Sequence, residues 1–217
     1  MSRGVKIFRL IVRNLPGTIL CKDMLVVAPT KRVVRGFLIE TTTEKGRVYL
    51  WRVVTPLYRP MSSIILDYST RIPERGGDVY IDQNAYEKSA EAIRGIILSE
   101  GHLDYLKRIR EPHDFLRHTA WIRSGSPLRA RFDHALTHYL VGNVRQAIEA
   151  LRRLGTEVDQ LDEGRKVYIG PVMKQVLQAL DGGPGDLKPL LDQWVSQNIE
   201  KFGLQASRPH LAFSVID

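Results

Sequence analysis

The sequence predicts an α+β protein in which an N-terminal helix and an antiparallel sheet of about four strands precede a mainly helical C-terminal half. Up to residue 82, the apolar residues are largely β-branched or aromatic and stand in short runs bounded by turn residues, which is typical of strands. Beyond that point, apolar residues recur every three or four positions, which is the helical period. We therefore divide the chain into residues 1–82 and residues 83–217, and leave open whether the two regions pack as one domain.

The leading helix is predicted from a single apolar stripe, and the turn at Pro16 and Gly17 ends it. The stripe consists of Ile7, Phe8, Ile11, Val12 and Leu15. The basic residues Lys6, Arg9 and Arg13 lie off this stripe. They also interrupt the apolar run, so the segment lacks the continuous apolar region of a signal peptide.

Four strands are predicted, at residues 24–29, 32–42, 47–55 and 62–70. Residues 44–46 form a three-residue loop that ends in glycine, which suits a type I turn with a bulge. Such a loop places Thr43 opposite Arg47. Because side chains alternate along a strand, one face then carries an aromatic and aliphatic set that we assign to the core: Phe37, Ile39, Trp51 and Val53.

Helices are predicted from capping, turn and periodicity signals at residues 84–101, 102–112, 126–142, 143–155, 171–180 and 186–202. Tyr139, Gly142 and Ala147 stand at a helix junction that resembles that of a tetratricopeptide repeat, over residues 139–154. The resemblance implies a helical hairpin and favours protein binding. The tail, residues 210–217, is predicted as a last strand.

Composition bounds the class of protein. A hydrophobic fraction of 43% and a charged fraction of 26% are ordinary for a globular chain. The single cysteine, Cys21, excludes an internal disulfide and fits a reducing compartment. No apolar run approaches the roughly 18 residues of a membrane helix, so we expect a cytoplasmic protein without membrane contact. The net charge is +8, and most of it lies in residues 1–82, which hold 14 Lys and Arg against 7 Asp and Glu.

Five of the six histidines fall between His102 and His138, which raises the question of a metal site. His134 and His138 stand four apart and share one helix face, as two metal ligands do, but Arg131 beside them opposes a divalent cation. The dipeptide at positions 113 and 114 resembles the paired His-Asp of HD phosphohydrolases. The upstream histidine that this family requires is here too close in sequence. The candidates for a metal-dependent hydrolase are His113, Asp114, His134 and His138.

A basic segment between residues 107 and 131 is the stronger candidate for a binding surface, because guanidinium groups match carboxylates and phosphates. The predicted surface consists of Lys107, Arg108, Arg110, Arg117, Arg123, Arg131, His134 and His138. A solvated face without function is the alternative for such a charged segment. No sequence signature of a nucleic-acid-binding fold accompanies it.

From these observations we expect a non-catalytic accessory protein, of the inhibitor, immunity or adaptor type, that binds another protein with an acidic surface. We expect neither a cofactor nor catalytic residues. The first alternative is a nucleic-acid-binding accessory protein that uses the basic N-terminal helix and the arginines of the basic segment. The second is the metal-dependent hydrolase centred on the histidines.

Overall fold

The computed structural model describes residues 2–73 and 78–205 and confirms the predicted α+β class. The predicted last strand at residues 210–217 lies outside these residues. The strands are β1 (Thr18–Cys21), β2 (Met24–Val27), β3 (Val33–Thr41), β4 (Arg47–Pro56), β5 (Thr70–Ile72) and β6 (Val79–Tyr80). The helices are α1 (Arg3–Ile11), α2 (Tyr86–Ser99), α3 (His102–Arg108), α4 (Pro112–His118), α5 (Leu128–Leu140), α6 (Val144–Asp159), α7 (Glu163–Gly182) and α8 (Leu187–Phe202).

The strands form one antiparallel sheet in the order β1-β2-β3-β4-β5, and β6 pairs with the first residues of β4. The register of the β3–β4 hairpin is one residue away from the predicted one, since Phe37 lies opposite Arg52. The Thr42 hydroxyl hydrogen-bonds the backbone N–H of Glu44 and the carbonyl of Arg47. This local turn lengthens the loop by one residue, so the predicted three-residue loop is wrong.

The fourth predicted strand, residues 62–70, is also wrong. All but its last residue, which begins β5, are irregular. The carbonyl of Ile65 accepts a hydrogen bond from the Thr55 hydroxyl at 2.8 Å, and that of Leu66 accepts one from the Ser69 N–H at 2.9 Å. Because these backbone groups are satisfied without a strand neighbour, the segment packs its apolar side chains as a loop.

Both faces of the sheet are buried, so the prediction of a core on one face alone is wrong. Val33 and Phe37 of β3 pack in a cluster with residues of α1–α4. Val34 and Val53 pack in a second cluster with residues of α5–α8. A slip of one residue moves a side chain to the opposite face, which explains why Trp51 and Val53 face α5–α8 rather than the side of Phe37. Each cluster contains residues from both sides of position 82.

In the helical half, two seven-residue helices, α3 and α4, stand between longer ones. The predicted hairpin is present as α5 and α6, joined at Gly142, whose φ of +92° suits glycine. Helix α6 continues past Gly155, where it was predicted to end. A Cβ at that position would lie 2.8 Å from the Leu177 side chain of α7, so the glycine lets the two helices approach closely. Among the described helices, none combines the length and apolarity of a membrane span.

Candidate functional site: a basic corner and a buried arginine

The corner between α3 and α4 is held in a fixed shape by its own acidic residues. The Asp114 carboxylate accepts hydrogen bonds from the backbone N–H groups of Arg110 and Glu111, at 2.8 and 3.0 Å. The Glu111 side chain caps the same helix start in return, which is a reciprocal capping box. Burial opposes ionisation of Asp114, but these donors and Arg117 lower its pKa overall. The corner therefore presents its basic side chains from a rigid turn.

Ion pairs neutralise part of the predicted surface. Arg131 forms a two-pronged pair with Glu157, with N–O distances of 2.8 and 2.6 Å. Arg117 pairs with Asp114 within α4. Lys107 lies 3.6 Å from Asp104. Arg131 and Arg117 therefore contribute little net positive charge to a partner, whereas the longer contact with the exposed Asp104 neutralises Lys107 only weakly.

Other predicted cations keep their charge. Arg108 and Arg110 are exposed, and neither has a carboxylate partner within the described residues. Arg123 is exposed as well and donates to backbone carbonyls of the loop that follows α4. Lys31, from the loop between β2 and β3, reaches the corner and pairs with Glu111 at 2.7 Å. We call Lys31, Lys107, Arg108 and Arg110 the basic corner.

The two histidines of α5 add no positive charge near neutral pH. His134 and His138 are half-buried, and their rings meet edge to face with centroids 4.7 Å apart. Burial, with smaller contributions from His138 and Arg123, lowers the pKa of His134 to about 4. Burial also lowers the pKa of His138, whose Nδ1 is 3.0 Å from the Asn143 amide nitrogen. Both imidazoles are therefore neutral at pH 7.

The candidates for a hydrolase are not gathered into a ligand set. In residues 2–73 and 78–205, no three His, Cys, Asp or Glu side chains are arranged to hold a metal ion. His113 is exposed on α4, and Asp114 is occupied as a helix cap. His118, another histidine of the cluster, forms hydrogen bonds within the fold. Nδ1 of His118 lies 2.6 Å from the Tyr105 hydroxyl, and its Nε2 lies 3.0 Å from a backbone carbonyl.

Sequence reasoning missed Arg35, which lines the same cavity as Lys31, Lys107 and Arg110 of the basic corner. It lies on the face of β3 that packs against α1–α4, between the buried residues Val33 and Phe37, and is 2% exposed. Its guanidinium donates to the carbonyls of Val33 and Pro29, at 3.4 and 3.1 Å. A cavity of about 250 Å³ separates it from the α3–α4 corner. An arginine inside an apolar strand was the signal available in the sequence.

Sequence reasoning also missed a buried ion pair between Arg59 and Asp133. The Nε and Oδ1 atoms are 2.8 Å apart, with a geometry that makes the contact an ion pair rather than an aligned hydrogen bond. The Tyr68 hydroxyl donates to the other carboxylate oxygen at 2.8 Å. Burial raises the pKa of Asp133, and Arg59 and Tyr68 partly reverse that rise. The pair lies beside a second cavity, of about 560 Å³, which Arg59 and Phe132 help to line.

No protein-family model, curated protein or solved structure matches this chain.

Proposed function

We propose that this protein is a non-catalytic accessory protein, of the inhibitor, immunity or adaptor type, which binds an acidic surface of another protein through the basic corner. The observation that carries this proposal is the pair of exposed arginines Arg108 and Arg110, which lack carboxylate partners among the described residues. An arginine fork binds a carboxylate through two parallel hydrogen bonds. An acidic partner would supply the carboxylates.

The mixed charge of the corner favours a protein over a nucleic acid. Asp104 and Glu111 stand beside the cations, with side chains 80% and 47% exposed. A nucleic-acid backbone carries closely spaced negative charges, which these two carboxylates would repel. A protein surface presents carboxylates and cations side by side and is able to pair with both.

The test is capture of the partner from cells that contain this protein, with the tagged wild type and with the double variant Arg108→Glu/Arg110→Glu. We expect the wild type to retain a specific protein and the variant to lose it, with the affinity of the purified partner reduced about tenfold or more, because like charges across an interface cost several kcal/mol. Both altered residues are exposed, so folding is preserved. Circular dichroism of both proteins checks this point.

The matched control is Arg9→Glu/Arg13→Glu, which makes the same change in net charge at two exposed residues of the N-terminal helix region. This control should bind the partner as the wild type does. Equal loss in both variants would contradict a specific corner surface. Two results together would favour the nucleic-acid alternative. Nuclease treatment would abolish the capture, and binding of a nucleic-acid duplex would fall steeply with salt and be weakened by both variants.

A further inference from the structure

The cavity between the β2–β3 loop and the α3–α4 corner is lined by an excess of positive charge. Its charged wall residues are Lys31, Arg35, Lys107, Arg110 and Glu111. The single carboxylate in this set is paired with Lys31 at 2.7 Å. Of the other three cations, Lys107 lies 3.6 Å from Asp104, which is not a wall residue, and Arg35 and Arg110 have no carboxylate partner among the described residues.

Arg35 is the deepest of these cations and the least compensated. It is 2% exposed, and its guanidinium partners within the described residues are the carbonyls of Val33 and Pro29. Its Nε atom is buried and has no hydrogen-bond partner among these residues. An arginine does not lose its proton in proteins, so its charge must be compensated by other groups. A buried charge without a partner is costly.

The groups around Arg35 do not balance its positive charge. Burial lowers the pKa of the Arg35 guanidinium, and the positive charge of Arg110 lowers it further. Asp114 and Glu111 act in the opposite direction, but backbone N–H groups hold the first and Lys31 holds the second. Neither carboxylate is bonded to the guanidinium. A negative charge placed in the cavity would lie between two arginines.

The size of the cavity limits what it holds. A water molecule occupies about 30 Å³ of the liquid, so a volume of about 250 Å³ accommodates a carboxylate or phosphate group with a few waters. It is small for a nucleotide or a folded segment of chain. The walls contributed by Val27 and Ala28 are apolar, and they would exclude part of the solvent around a bound ion and strengthen its attraction to the guanidinium.

We propose that this cavity is an oxyanion-binding site in which Arg35 holds a carboxylate or phosphate group and Arg110 and Lys107 close over it. The group comes either from a free small anion or from the end of a larger ligand. The site shares Lys31, Lys107 and Arg110 with the proposed protein-binding surface. Its test requires only the purified protein and a small anion, so the two proposals are able to fail separately.

The direct test is NMR detection of the arginine Nε–Hε resonances while the full-length protein is titrated with inorganic phosphate and, separately, with acetate, at constant ionic strength with chloride. We expect a saturable shift of the Arg35 resonance. The Nε of Arg131, whose guanidinium is paired with Glu157, serves as the internal control and should not move. Tighter binding of phosphate identifies a phosphoryl ligand, and tighter binding of acetate identifies a carboxylate ligand.

Two variants separate a binding site from a structural role of Arg35. Arg110→Met removes an exposed cation from the cavity and leaves the buried strand intact, so it should weaken binding about tenfold, the effect of one lost charge-assisted hydrogen bond. Arg9→Met removes an exposed arginine elsewhere and should leave the affinity unchanged. The proposal is overturned if neither anion gives a saturable shift at Arg35. It is also overturned if Arg110→Met binds the anion as tightly as the wild type and the Arg9→Met control do.

Discussion

Arg35 and Arg59 are both buried arginines, but their surroundings compensate the charge in different ways. Arg59 has a fully buried carboxylate at 2.8 Å, and a tyrosine hydroxyl holds that carboxylate in place. Arg35 has carbonyl oxygens and a small cavity instead. In the first arrangement the charge is balanced within the chain, although Nε and Nη2 of Arg59 have no hydrogen-bond partner among the described residues. The second becomes complete when a negative group arrives from outside.

We infer from this difference that Arg59 has a structural role and Arg35 a binding role. A buried ion pair contributes little net stability, yet the loss of one partner is strongly destabilising because the other charge stays behind. An arginine without a carboxylate partner leaves no such charge when it is removed. Substitutions at the two sites should therefore differ in size, and substitution at the second should also remove anion binding.

The largest effect is expected for Asp133→Asn, which keeps the shape of the side chain and removes its charge. Arg59 is then buried without a counter-ion, which should lower the free energy of unfolding by about 3–5 kcal/mol. Urea denaturation followed by circular dichroism measures this change. Arg59→Met should cost a similar amount, since it leaves Asp133 alone.

Replacement of the whole pair is the control. The double variant Arg59→Met/Asp133→Leu should recover much of the lost stability, because an apolar pair of similar volume often matches a buried ion pair. If the costs of Arg59→Met and Asp133→Leu, measured singly, simply add in the double variant, the residues do not act as a pair. Glu149→Ala, which breaks an exposed i,i+4 pair with Arg145, should leave the denaturation midpoint almost unchanged.

A smaller effect is expected for Tyr68→Phe. The variant keeps the ring that packs edge to face on Phe115, with centroids 5.0 Å apart, and removes the hydroxyl that donates to Asp133. A buried acceptor that loses its donor costs about 1–3 kcal/mol. Tyr105→Phe removes a hydroxyl that is only partly buried and should cost less under the same denaturation protocol. An equal or larger loss for Tyr105→Phe would contradict the ranking.

The sequence predicted the class of fold, because periodicity and turn residues are local signals. The helix at Ile7, Phe8 and Ile11 and the strands β2, β3 and β4 follow from their residue types. The register of the hairpin did not, since it depends on hydrogen bonds of the Thr42 hydroxyl that spacing alone does not indicate. That one-residue difference also concealed the second buried face of the sheet.

The candidate site was predictable only in part. The sequence indicated Arg108 and Arg110, because they belong to a local run of basic residues. It could not indicate which arginines are neutralised, since the partner of Arg131 is Glu157, on the next helix. Arg35 is separated from that run by many positions in the chain, and only the packing of β3 against the α3–α4 corner brings it to the cavity.

The smallest effect among the buried charges is expected for Arg35→Met. The variant loses two hydrogen bonds to carbonyls but also removes a buried charge that has no carboxylate partner among the described residues. In anion-free buffer, the two terms should nearly cancel and leave the free energy of unfolding within about 1 kcal/mol of the wild type. Added phosphate should raise the melting temperature of the wild type more than that of the variant. A loss as large as that of Arg59→Met would show that Arg35 is a structural residue.

His134 extends the comparison to a half-buried side chain whose charge depends on pH. Its folded pKa of about 4 lies below the ordinary value of 6.5. Between these two pH values, the unfolded chain binds a proton at His134 and the folded chain does not. Stability should therefore fall as the pH drops from about 6.5 to about 4, and level off below the folded pKa. Solvent reaches the ring, so the change should be modest.

Urea midpoints at pH 7 and pH 5 should show a smaller loss of stability for His134→Gln than for the wild type. The rest of the pH dependence is due to other groups such as His118 and His138. Identical losses in the two proteins would mean that His134 takes up its proton equally well in the folded and unfolded chains, contrary to the burial of its ring.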